Sequence, residues 1–159
     1  MTKQNTLEKN NDLYFIYFLI LGLFSVAFGI ADLVVTLGGS EYSLGALEIP
    51  NDGFRGGWGG LIVLFAGIFY LSGVKNIQEI HQLAKLIMGS ILIWIIAGTD
   101  IFAMITESIP GREDGGWFNT AQGFLGTYAP PYTPAIFLLP FSLVVIFCIH
   151  KYYKKQEME

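Results

Sequence analysis

The chain has 159 residues, of which 53% are hydrophobic, 15% aromatic and only 14% charged, against roughly 25% charged in soluble domains. This excludes an ordinary soluble globular domain, and the formal net charge of -4 excludes the basic stripe with which nucleic-acid-binding proteins meet phosphate. The apolar excess is gathered in four blocks that approach or reach membrane-spanning length, which predicts an all-α integral membrane protein, a four-helix transmembrane bundle in the lipid bilayer.

The spans are predicted at about residues 13–36, 58–74, 86–106 and 134–149, within a transmembrane domain of residues 13–153. A segment 1–12 precedes that domain, and a tail 154–159 follows it. In the first span Gly22, Ser25, Gly29 and Asp32 fall at i, i+3, i+7 and i+10, on one helix face, where small residues let another helix approach closely. Lys3 and Lys9, Leu13 to Phe24 and Ser25-Val26-Ala27 also have the layout of a secretory signal. The apolar run continues through Phe28, Ile30, Leu33 and Val35, however, which is the length of a span. Gly38-Gly39 reads as a helix stop.

The second span is short and reaches full length by recruiting Arg55 to Gly57 and Lys75 from the boundary layer. Gly56, Gly60 and Gly67 give it a close-packing face of its own. In the third span Ser90, Ala97 and Asp100 share a face that Ile93 interrupts. The fourth is short as well, extends into Tyr128 to Thr133 and His150 to Tyr153, and holds Pro140, which predicts a kink. Trp58, Tyr132, Tyr152 and Tyr153 suit the aromatic belts at the two membrane surfaces.

Seven of the nine cations, Lys3, Lys9, Lys75, Lys85, Lys151, Lys154 and Lys155, fall on one side of this arrangement. The positive-inside rule makes that side, with both termini, cytoplasmic in the cell membrane. The outer loops carry Arg55 and Arg112 against Glu41, Glu48, Asp52, Glu107, Glu113 and Asp114. In the second of them Trp117, Phe118, Ala121, Phe124, Leu125 and Tyr128 recur at helical spacing, which predicts a short amphipathic helix in the headgroup layer, ended by Ala129-Pro130-Pro131. It serves as an aromatic anchor or as a surface for a ligand or partner.

Ile49-Pro50 precedes Gly56-Gly57-Trp58 much as Ile109-Pro110 precedes Gly115-Gly116-Trp117, and each copy holds an Arg and follows a span with an acid near its outer end. The chain therefore reads as two tandem helical hairpins, a parallel internal repeat. Chance likeness of two Gly/Pro-rich turns is the competing account.

Asp32 and Asp100 are the charges set well inside apolar blocks, where a charge is expensive and by default a functional hypothesis. Both lie toward the negative end of a helix dipole and need compensation. Pairing with Arg55 and Arg112 across each hairpin is the simplest solution. A proton or metal cation shared by the carboxylates is the second, and snorkelling to outer water the third.

Catalytic signatures are missing. The single Cys148 rules out an intrachain disulfide, and His81 and His150 lie too shallow to hold a haem inside the membrane. The common zinc, serine-nucleophile and P-loop patterns do not occur, and no cofactor is implied. Asn51-Asp52-Gly53 and Glu113-Asp114 read as solvated turns ahead of weak Ca²⁺ sites. The sequence thus points to a non-catalytic subunit or scaffold that associates with other membrane subunits or with itself. The alternative is a small oligomeric transporter or ion-conducting protein using Asp32 and Asp100. A membrane-embedded enzyme or quinone-binding protein is the third reading.

Overall fold

The computed structural model describes residues 2–39, 41–76, 79–109 and 120–156, with side chains from residue 13 onward except at 76, 153, 155 and 156. The chain is mostly helical. The helices are α1 (Thr2–Gly38), α2 (Gly60–Gly73), α3 (Ile80–Glu107), α4 (Ala121–Thr127), α5 (Pro134–Ser142) and α6 (Val144–Gln156). Two three-residue strands, β1 (Tyr42–Leu44) and β2 (Leu47–Ile49), and a π-helical segment, Gly53–Gly59, lie between α1 and α2. Four segments, Leu13–Gly38, Gly53–Gly73, Ile80–Glu107 and Pro134–Tyr152, are long and apolar enough to cross a membrane.

The second of these begins five residues ahead of the Trp58 expected from the sequence. The reason is local. Asp52 stands at the N-cap of the π-helical segment, and its Oδ1 accepts from the backbone N–H groups of Phe54 and Arg55 at 2.9 and 2.6 Å. This satisfies two of the donors that a helix start leaves open. The glycine-rich run Gly53–Gly59, poor in intrinsic helix propensity, is thereby carried into α2. The third span begins earlier than expected as well, because Ile80–Lys85, more polar than the remainder of α3, is already helical.

α1 packs chiefly on α2, α2 on α3, and α3 on α5, and α1 also meets α5. The α1–α2 contact is close because glycines line it. A Cβ on Gly29 would stand 2.5 Å from the backbone nitrogen of Leu64, and one on Gly67 would stand 2.7 Å from that of Val26. Gly22 lies against Leu71 and Tyr70, and Gly60 against Asp32. Ser25 is buried in the same helix and donates to the Leu21 carbonyl. Phe18, Val63, Tyr70, Leu86, Ile93 and Leu138 fill the interior, whereas Leu23, Phe24, Phe102 and Phe147 face outward.

α1 stops at Gly38, followed by Gly39 at φ +67°, a left-handed conformation that costs glycine nothing. β1 and β2 pair as a hairpin whose turn starts at Gly45, φ +62°, as a two-residue turn with glycine in its first central position requires. The hairpin is fastened to the segment ahead of α5: Glu48 N–H donates to the Tyr132 carbonyl at 2.9 Å, and Tyr132 N–H to that of Ala46 at 2.8 Å. We call this the hairpin end of the molecule, and the opposite one the termini end.

The last span is interrupted at Leu143, three residues beyond Pro140. A break leaves carbonyls open, which an apolar setting does not tolerate. Neighbouring side chains close them: Tyr17 Oη donates to the Phe141 carbonyl at 2.7 Å, and Ser90 Oγ lies 3.3 Å from that of Ser142. Trp94 Nε1–H donates to Ser142 Oγ at 2.7 Å, and Tyr70 Oη lies 2.9 Å from Ser90 Oγ. Because the Ser90 proton is taken up by the carbonyls of Leu86 and Ser142, Tyr70 is the donor in that pair. The result is a completed polar network in the middle of the bundle.

Candidate functional site

Nearer the hairpin end lie the two acids. Asp32 is 2% exposed and Asp100 7%. They face inward from α1 and α3. Their surroundings differ. Thr133, the N-cap residue of α5, does not cap its own helix; its hydroxyl donates to Asp100 Oδ2. The Arg55 guanidinium also acts on Asp100 through its charge. Asp32 Oδ1, by contrast, is buried with no hydrogen-bond partner among the described residues, and so is the Thr36 hydroxyl one turn further along α1.

Glycines form the wall opposite. A Cβ on Gly60 would run into Asp32 Cβ, with Asp32 Cγ 3.4 Å away, and one on Gly56 would run into the Pro50 carbonyl oxygen and Thr36 Oγ1. Gly56 and Gly60 are thus more than packing positions. They set three oxygen-bearing residues, Asp32, Thr36 and Pro50, along one stripe of α2 and its π-helical lead-in. π-helical turns recur at functional sites because they re-aim the residues around them.

The pairing of Asp32 with Arg55 expected from the sequence is not formed. Arg55 Nη2 instead lies 2.9 Å from Glu107 Oε1, both side chains well exposed. Arg55 sits on the solvent-facing side of the π-helical segment, while Asp32 is shielded behind Gly60, so the arginine meets the end of α3. Arg112, the partner expected for Asp100, lies outside the described residues, as do Trp117 and Phe118. Of the remaining aromatics, Trp58 and Phe124 are exposed. The Tyr128 ring lies tilted beside that of Phe124, with ring centroids 5.3 Å apart, and its hydroxyl lies 3.2 Å from Ser108 Oγ.

Sequence reasoning passed over Thr36, Pro50, Thr133 and Glu107. Thr133 carried a signal, a Thr-Pro pair opening a helix, but not the direction of its hydroxyl. Among the described residues no group of three or more His, Cys, Asp or Glu side chains is placed to hold a metal ion. The chain matches no known family, no curated protein and no solved structure.

Proposed function

We propose that the chain is a non-catalytic multi-pass protein of the cell membrane, with both termini cytoplasmic, that works as a subunit or scaffold of a larger membrane assembly. One observation carries this reading. Between the acids and the Tyr70–Ser90–Ser142 network lies a layer of Val63, Ile93 and Ala97, all buried and none with a polar side-chain atom. An ion crossing a single copy would have to pass this layer bare, at high cost. The outward faces of the helices, with Leu23, Phe24, Ile95 and Phe147 exposed, accept a lipid tail or another apolar helix equally well.

In this reading α4, with Phe124 and Leu125 exposed, rests in the outer headgroup layer. The α1–α2 hairpin and the pair formed by α3 with the broken fourth span are tandem halves. A second reading, a small oligomeric transporter or ion-conducting protein, is favoured by the unpartnered Asp32 oxygen, and it needs a further copy to open a path around the apolar layer.

Extraction of the protein from its native membrane in mild detergent, followed by size separation and mass spectrometry, separates the two. A stoichiometric complex with other membrane chains is the expected result. A homo-oligomer alone overturns the subunit reading, and Asp32→Asn and Asp100→Asn are then expected to abolish ion flux in vesicles while leaving expression intact.

A further inference from the structure

We propose that Asp32, Thr36 and the Pro50 carbonyl form a binding site for a small monovalent metal cation, of the size and hardness of sodium, reached from the hairpin end. The site is independent of whether the protein is a scaffold or a transporter.

Asp32 is 2% exposed, and its Oδ1 has no hydrogen-bond partner among the described residues. A buried carboxylate oxygen without a donor is costly, and native structures avoid it unless something else supplies positive charge. The Thr36 hydroxyl, one turn away on the same face of α1, is a second buried oxygen without a partner. The Pro50 carbonyl and Thr36 Oγ1 both press on the point where a side chain at Gly56 would begin, and the Gly29 carbonyl stands 3.3 Å from the corresponding point at Gly60. What gathers along this stripe is therefore oxygen, without an N–H donor turned to Asp32 Oδ1.

Charge selects the valence. Asp100 already has the Thr133 hydroxyl as a donor, and the Arg55 charge is taken up by Glu107. The ligand set itself holds one carboxylate, Asp32, and one positive charge balances it. The ligand types select the class. A carboxylate, a hydroxyl and backbone carbonyls are hard oxygens, which disfavours the soft transition metals. Calcium is commonly held by several carboxylates among six to eight oxygens, whereas no group of three or more acids, His or Cys is placed for a metal among the described residues.

Access follows from the fold. Thr36 is only partly buried and lies two residues before the end of α1. On the other side Val63, Ile93 and Ala97 close the interior.

Thermal unfolding of the purified full-length protein in detergent tests this, with sodium chloride titrated against N-methylglucamine chloride at constant ionic strength. A ligand that binds only the folded state raises its stability saturably, so a rise of a few degrees that levels off with sodium is expected. Thr36→Val keeps the shape of the side chain but removes its oxygen, and is expected to weaken the apparent sodium affinity at least tenfold, while Thr36→Ser keeps it. Asp32→Asn is expected to lose the sodium response and to melt no lower than the parent chain in N-methylglucamine. Should Asp32→Asn fail to fold, the Thr36 pair decides. Equal melting in the two salts overturns the site, as does a full sodium response in Thr36→Val. A shift obtained only on acidification assigns the charge to a proton and overturns it too, and a larger shift with calcium chloride overturns the monovalent assignment.

Discussion

The bundle holds two buried polar clusters on the same helices, and they are finished in opposite ways. Toward its middle Tyr70, Ser90, Trp94 and Ser142 hand their protons to one another and to the carbonyls that the break in the last span leaves open. Toward the hairpin end Asp32 is buried and Thr36 partly so, yet Asp32 Oδ1 and Thr36 Oγ1 have no partner among the described residues. The first cluster is complete within the chain, so its job is to hold a broken helix in an apolar setting. The second lacks a positive charge among the described residues, which is the place of the proposed cation. The count of donors against acceptors tells a satisfied network from an open one.

Substitutions sharpen that contrast. The largest effect is expected at Gly56→Ala, whose methyl group would collide with the Pro50 carbonyl and the Thr36 hydroxyl. Unfolding in detergent should show a loss of about 3 kcal/mol, the upper part of the overpacking range, and a loss below the noise would mean that the stripe has room for a methyl group after all. Ser90→Ala is expected to cost about 2 kcal/mol, because it strands the Tyr70 hydroxyl in an enclosed site. If it proves neutral, the closed cluster does not hold the fold. Asp32→Asn should go the other way and stabilise the cation-free protein by about 1 kcal/mol, since it removes a charge with no partner. A loss comparable to that of Ser90→Ala would erase the distinction between the clusters. Arg55→Ala is the smallest change, about 0.5 kcal/mol, because its ion pair with Glu107 is well exposed. That difference is expected to vanish in high salt.

How far the sequence can be read follows from the range of each signal. Runs such as Leu86–Thr106 announce themselves through composition alone, and Asp32 and Asp100 stand out because charge is rare within such runs. The spacing of Gly22, Gly29 and Asp32 places them on one face of a helix, but which helix meets that face is a tertiary fact. Arg55 and Glu107 are 52 positions apart, and no local pattern links them, so the sequence offered the nearer acid instead. Gly53–Gly59 reads as a turn because glycine is a poor helix former. It is helical because Asp52 caps it and the glycines fit against α1 and Pro50. Strands of three residues are too short to show a period of two. Thr36 and the Pro50 carbonyl carry no sequence signal at all, since a neutral oxygen becomes informative only when its surroundings are known.

The two hydrogen bonds between the Ala46–Glu48 strand and Tyr132 bear on how the chain is made. Synthesis delivers the N-terminal part first, so α2 and α1, which carries Asp32, are in place well before Tyr132 leaves the ribosome. A nascent or truncated chain that ends before Tyr132 therefore exposes an unmated strand edge at Ala46–Glu48, and arrival of the segment ahead of α5 covers it.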